Sequence, residues 1–208
     1  MSRTRNGRPR LHGAGRVVSR GPGYDAGMSR RRVMELSLAV VAVTASASGA
    51  APPVLTLAPA DELGQRLVLV ATVTTADGHP LAGARVHAYQ TDATGAYTRE
   101  RAMDEPHARL SGWLSADSTG RFELHTIRPG GYPKPLRLGD RDRHIPAHIH
   151  IDVSAAGHAE RRFQAVFADD TLLADPYWRD WVKKLAQPVV QVERTGTSWH
   201  GRVTLRVP

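Results

Sequence analysis

The chain has 208 residues, no cysteine, a 41% hydrophobic fraction and a formal net charge of +8. That length supports one domain with a real core, and the absence of Cys excludes disulfides, thiolate metal sites and Cys nucleophiles. Nine of the 28 basic residues and one of the 20 acidic residues fall within residues 1–32, leaving nineteen of each downstream, so the body is neutral and a nucleic-acid role for it loses its main support.

Residues 1–27 are rich in Arg, Gly and Pro without apolar periodicity, a composition expected to stay disordered. Met28 then opens a stretch with the layout of an export signal. Arg30, Arg31 and Arg32 form a charged start containing a twin arginine, residues 36–43 are a short apolar run, and Ala45-Ser46-Ala47 is a small-residue cleavage site. The apolar run is too short to span a bilayer, so no stable membrane insertion is expected. The expectation is an exported protein, periplasmic or extracellular, whose mature chain begins near Ser48 or Ala51; the alternative is an uncleaved N-terminal helix. Residues 28–50 are thus the signal and 51–208 the folded domain.

Within that domain, 51–64 is a Pro-containing lead-in. Residues 65–75 (QRLVLVATVTT) alternate Leu67, Leu69, Ala71 and Val73 on one face, the period of a half-buried strand. Asp77-Gly78 is a turn signal, and 85–91 read as a second strand. Asp92-Ala93-Thr94-Gly95 turns the chain just ahead of Tyr97. Residues 100–115 are polar and irregular, a loop of functional length. After a turn at 117–120, residues 121–127 (RFELHTI) form a strand that Arg128-Pro129-Gly130-Gly131-Tyr132-Pro133 breaks, which puts Tyr132 on a stiff turn. Residues 134–145 are a charged loop.

The next strand, 146–153 (PAHIHIDV), carries the strongest chemical signal. Alternation puts His148 and His150 on one face and Ile149 and Ile151 on the other. Two imidazoles from one rigid strand can converge on one metal ion. By itself His-x-His is more often two unrelated surface histidines of an edge strand. Residues 160–167 form another strand. Asp175 then caps a helix that starts at Pro176, with Trp178, Trp181, Val182 and Leu185 spaced as a packing stripe. Residues 189–207 close the chain with two strands around Gly196. Many short strands joined by turns predict an all-β, antiparallel β-sandwich with one short helix near the C-terminus and long loops at the site.

Two tyrosines, Tyr97 and Tyr132, therefore sit beside turns upstream of the His-x-His strand. Segments 86–97 (VHAYQTDATGAY), 117–133 (DSTGRFELHTIRPGGYP) and 146–153 resemble, in this order, the three core motifs of the intradiol ring-cleavage dioxygenases. That family includes the catechol and protocatechuate dioxygenases, and the likeness runs over roughly residues 65–170.

The resemblance implies a non-haem Fe(III) cofactor held by Tyr97, Tyr132, His148 and His150, with Tyr97 and His148 equatorial and Tyr132 and His150 axial. It implies a small aromatic diol and O₂ as substrates, cleavage of the ring between the two hydroxyl-bearing carbons, and Tyr132 as the phenolate that leaves the metal and accepts a proton. Residues 163–167 (FQAVF) resemble the strand on which the family carries a Gln near the substrate, here Gln164; an exposed strand position is the other reading of that residue. The family's Arg, three residues before the first His, is Ile145 here, and Arg143 is the candidate to substitute for it. Tyr89 stands at the family's usual Trp position. A carboxylated ring would need a cationic anchor, for which Arg121, Arg128, Lys134, Arg137, Arg141 and Arg143 are all near the motifs. The fold family is compatible with a homo-oligomer. The competing reading is a non-catalytic β-sandwich that keeps the fold and binds a ligand or partner; a zinc or copper hydrolase is weaker, because Tyr is an unusual zinc ligand.

Overall fold

Alternation in the chain is realised strand by strand in the computed structural model, which describes residues 50–100, 103–133 and 144–208. The disordered segment expected at 1–27, all but the last residue of the export signal expected at 28–50, and Arg143 with most of the charged loop lie outside the described residues. In chain order the strands are β1 (Val54–Thr56), β2 (Arg66–Thr75), β3 (Arg85–Gln90), β4 (Leu110–Ser115), β5 (Arg121–Ile127), β6 (Tyr132–Pro133), β7 (His144–Ile145), β8 (His148–Ser154), β9 (Arg161–Phe167), β10 (Val189–Thr195) and β11 (Ser198–Val207). One α-helix, α1 (Pro176–Lys184), follows β9.

Nine strands join in the order β1-β5-β2-β11-β10-β9-β8-β3-β4, and β6 and β7 form a separate ribbon. The β-rich sandwich expected from the turn spacing is what forms. Within it, β1/β5, β2/β11 and β9/β10 run parallel while the other pairs run antiparallel, because long connections return these strands in the same direction. One half presents Leu67, Leu69, Ala71 and Val73 of β2 with Phe122 and Leu124 of β5. The other presents Ile149, Ile151 and Val153 of β8 with Phe163 and Phe167 of β9, and all belong to one core cluster. Each fully buried side chain of this size contributes about 1.5–3 kcal/mol.

Two local expectations change. Residues 100–115 are not one irregular loop: Glu105–His107 is a 3₁₀ turn and Leu110–Ser115 is a strand paired along its whole length with β3. That stretch reads as a loop because it is polar and irregular, yet Gly112 within it is there for packing, since a Cβ would lie 2.9 Å from Leu55 Cδ1. The helix begins where expected, with Asp175 Oδ1 accepting from Tyr177 N at 2.8 Å. Of its stripe, Trp178 is buried, whereas Leu185 is 44% exposed at the helix end. Among the described residues no helix is long and apolar enough to cross a membrane.

Candidate metal centre

The site grows from the facing of β8. Ile149 and Ile151 are buried in the core, so His148 and His150 project from the opposite face of the strand, where they are 3% and 2% exposed. The Nδ1 of His148 lies 2.7 Å from the carbonyl of Pro146. A carbonyl only accepts, so Nδ1 carries the proton and Nε2 keeps its lone pair free for the site. The His150 ring is held differently: Tyr89, its register partner on β3, stacks on it at 4.4 Å between centroids and 3° between planes.

Tyr97 and Tyr132 arrive on two loops that are joined backbone to backbone. Asp92 Oδ1 accepts from Thr94 N, Thr94 Oγ1 and Ala96 N at 2.9, 2.7 and 3.1 Å, shaping the turn before Tyr97. Gly130 N donates to Asp92 O at 2.8 Å, and Thr91 Oγ1 donates to Gly130 O at 2.8 Å. A Cβ on Gly130 would stand 2.5 Å from Gly95 N and 2.7 Å from Ala93 O, so only glycine permits this approach. Tyr132 then enters β6, paired with Ile145.

These elements bring four polar atoms into a closed ring. Tyr97 Oη is 3.0 Å from Tyr132 Oη and 3.0 Å from His150 Nε2. His148 Nε2 is 3.0 Å from His150 Nε2 and 3.3 Å from Tyr132 Oη. Tyr132 therefore sits across the ring from His150, and Tyr97 across from His148. Donors separated by 3.0–3.3 Å around such a ring are close enough to share one metal ion, given zinc-to-imidazole bonds of about 2.0–2.1 Å. Among the described residues no three His, Cys, Asp or Glu gather to hold a metal; here the donors are two phenols and two imidazoles.

Electrostatics sharpen the fit. Burial, and then the neighbouring His148, push His150 down to about 2, and burial likewise lowers His148. Both imidazoles are therefore neutral at pH 7, as metal ligands must be. Burial raises both phenols above the ordinary tyrosine range, with the Tyr132 hydroxyl adding to the rise at Tyr97. Neither phenol ionises unaided in this setting. A cation among the four donors would supply the missing stabilisation of phenolate, and a hard, highly charged ion suits anionic oxygen best.

Around the ring, Ile145 packs on the cluster of Tyr89, Tyr97, Ala108 and Tyr132, so the place of the family's Arg is apolar. Gln164 is the register partner of His150 on β9 and so faces the same side; it is half-buried and its backbone N–H donates to Gln187 Oε1 at 2.7 Å. Arg128, one candidate anchor, is engaged with Asp169 at 2.7 and 2.8 Å. Sequence reading missed Glu105, whose Oε1 accepts from Tyr89 Oη at 2.8 Å. No local pattern marks it, because the contact spans sixteen residues through an irregular loop. A cavity of about 250 Å³ lies beside Tyr89, with His87, Glu105, Asp152 and Arg162 in its wall.

A partly buried charge network holds the Tyr97 loop. Arg109 N donates to Tyr97 O at 3.0 Å. Its guanidinium donates to Glu62 Oε2 and Oε1 at 2.5 and 2.7 Å and to Asp92 Oδ2 at 3.1 Å. The Arg109 hydrogen bond holds Glu62 below the usual carboxylate range. At Asp92 burial pushes upward, but hydrogen bonds from Thr94, Ala96 and Arg109 outweigh it and the net shift is down. Arg109→Gln is expected to cost about 2 kcal/mol, the scale of charged hydrogen bonds in a partly buried setting. Depressed carboxylates stabilise the fold above their unfolded pKa and lose that contribution as pH falls through the folded value. The gap between wild type and Arg109→Gln in urea unfolding should therefore shrink below about pH 4; a gap independent of pH would contradict the network.

The chain is similar to known proteins over most of its described length. Residues 43–201 match the family model Dioxygenase_C, described as Dioxygenase. The chain is 33% identical over 94 residues to catechol 1,2-dioxygenase of Candida albicans, covering 41% of this chain and 31% of that protein. It is 30% identical over 105 residues to hydroxyquinol 1,2-dioxygenase of a Rhizobium species, covering 47% and 36% respectively. Among solved structures, a catechol 1,2-dioxygenase from an Acinetobacter species superposes with a TM-score of 0.58 at 25% identity, over 74% of this chain and 56% of that one. The chain thus spans well under half the length of these two curated relatives.

Proposed function

Since the chain belongs to the intradiol dioxygenase family, we propose that it is an iron-dependent oxygenase that opens the ring of a catechol-type substrate between its two hydroxyl-bearing carbons. The observation that carries this reading is the closed ring of Tyr97, Tyr132, His148 and His150 donors. We assign these four as the ligands of Fe(III).

When bound, ferric iron would supply a Lewis-acidic, redox-competent centre able to take both oxygens of a deprotonated catechol and to open its ring to attack by O₂. The chain's own residues do the rest. His148 and His150 present neutral Nε2 atoms from a strand that cannot swivel, and the Pro146 carbonyl keeps the first in the right tautomer. Burial of all four donors excludes bulk water and leaves their charges unscreened. Tyr132 Oη is the atom that accepts a substrate proton: burial makes its phenol a weak acid, so the corresponding phenolate would be a strong base. Gln164, facing the His150 side of the sheet, is the candidate to orient the diol. Arg143 keeps its assignment as a candidate stabiliser of negative charge on the ring. Export through the twin-arginine-like segment is part of the same proposal, and N-terminal sequencing of the mature protein tests it.

Purified protein loaded with iron should show the broad visible band of tyrosinate bound to Fe(III), and the band should move when a catechol is added. Oxygen uptake with a panel of neutral and carboxylated catechols tests turnover. Tyr132→Phe removes one phenolate and the proton acceptor, so the band should weaken and turnover fall by roughly 10²–10⁴-fold, the scale of a lost general base. The apolar Ile145 favours one competing reading, a sandwich that binds a ligand without cleaving it. A protein that carries iron and its band yet consumes no oxygen with any catechol would decide for that alternative.

A further inference from the structure

Aromatic pairs on neighbouring strands line up into one stack that begins at solvent and ends on a site histidine. Trp113 on β4 is 55% exposed. It faces His87, its register partner on β3, with rings 4.3 Å apart and inclined by 15°. His87 is 5.1 Å from Tyr89, two residues along the same strand face. Tyr89 in turn covers His150 at 4.4 Å and 3°. The Arg85 guanidinium caps the outer end, 4.5 Å above the Trp113 ring. At the inner end the Tyr89 hydroxyl donates to Glu105 Oε1 at 2.8 Å.

Cross-strand aromatic pairs stabilise sheets, which accounts for any one of these contacts. It does not account for their continuity, nor for a buried phenol aimed at a carboxylate. Tyrosine gives up an electron readily only when its proton leaves at the same time to a base already within hydrogen-bond reach, and Glu105 is in that position. Electron exchange decays steeply with separation, so rings in van der Waals contact pass an electron faster than the surrounding aliphatic core. The cation over Trp113 and the carboxylate at Tyr89 both bias a hole toward Tyr89, so its passage outward has to be drawn by a reductant at the surface.

We propose that Tyr89 is a redox-active tyrosine, and that Trp113, His87 and Tyr89 form a relay moving single oxidising equivalents between the donor ring and the surface. In the relay step an electron leaves the Tyr89 ring, the phenolic O–H breaks, and the proton passes to Glu105 Oε1, leaving a neutral phenoxyl radical. An electron from Trp113, crossing by way of His87, restores the phenol as the proton returns from Glu105. A soluble phenol at the surface then reduces Trp113. The oxidant that this relay disarms is hydrogen peroxide arriving at the donor ring, reduced to two waters by two electrons delivered singly and two protons from solvent. That use at the ring rests on the iron reading above; the relay among Trp113, His87 and Tyr89 does not.

The test uses the purified full chain, with and without chelator treatment, and photogenerated tris-bipyridine ruthenium(III) as a soluble one-electron oxidant. Freeze-quenched electron paramagnetic resonance should show a neutral tyrosyl radical in the wild type. Tyr89→Phe, which keeps the stack, should lose that signal and retain a tryptophan radical. Glu105→Gln, which keeps the size but removes the base, should do the same, and Trp113→Phe should slow formation of the tyrosyl signal. Circular dichroism confirms that each variant is folded. An undiminished tyrosyl signal in Tyr89→Phe, or a wild type that holds only a tryptophan radical, overturns the relay. Absence of the visible iron band with the tyrosyl signal intact would instead sink the iron reading and leave the relay standing.

Discussion

Purified His148→Ala protein is expected to carry no iron, to lack the visible band and to consume no oxygen with any catechol. His148 contributes one of four ring corners, its Nε2 3.0 Å from His150 Nε2 and 3.3 Å from Tyr132 Oη. Alanine cannot reach that corner, and His150, the other β8 side chain at the ring, already fills a corner of its own. Loss of an outer partner of a ligand already costs roughly 10–100-fold in metal affinity, so losing a ligand itself should cost at least about a hundredfold. Iron per polypeptide, measured by elemental analysis beside the spectrum, checks this. His144→Ala is the control: His144 is exposed on the two-residue strand β7, and its loss should leave iron content unchanged. A His148→Ala protein with full iron and an unaltered band would remove His148 from the ligand set.

Gly95→Ala should be the most damaging single methyl near the site. Gly95 has φ +87°, and a Cβ there would overlap the Gly131 carbonyl oxygen, with Gly131 C at 3.2 Å and Tyr132 Cβ at 3.4 Å behind it. Positive φ costs an L-residue about 1 kcal/mol or more, and forcing an atom against fixed backbone costs about 1–3 kcal/mol. Together about 3 kcal/mol is expected, a large share of the roughly 5–15 kcal/mol that holds a domain folded. The damage also reaches the chemistry, because the displaced segment carries Tyr132. Gly78→Ala separates the two costs. Its φ is +88°, and nothing lies within 4 Å of the added Cβ, so it should lose only the conformational part, about 1 kcal/mol. Chemical denaturation of both variants, with the visible band after iron loading, checks the pair. If Gly95→Ala loses no more than Gly78→Ala, the close joining of the two tyrosine loops is not what holds them.

Much of this site could be read from residue order because the relevant signals are local. Period-two alternation placed Leu67, Leu69, Ala71 and Val73 in the core, and they are all buried. Turn chemistry marked Asp92–Gly95 and Pro129–Gly131 as the places where the chain reverses. Where the signal is not local, reading failed. Residues 110–115 looked irregular at the end of a polar stretch, and the reason for Gly112 there is Leu55, far away in sequence. Glu62 and Glu105 had no pattern at all, since their partners, Arg109 and Tyr89, lie 47 and 16 residues away. The parallel pairing of β2 with β11 depends on strands at opposite ends of the domain.

His148 and His150 share a face for a reason that belongs to any β-strand: successive side chains alternate, whatever surrounds them. That much residue order determined, along with which tyrosines follow tight turns and which faces are apolar. The distance from those tyrosines to the histidines was decided only in three dimensions. It depends on Gly130 meeting Gly95, on Tyr89 lying in register with His150, and on Arg109 gathering Glu62 and Asp92. Alternation is a property of a few bonded residues, whereas convergence to 3.0 Å needs contacts between segments that only a packed core can hold together.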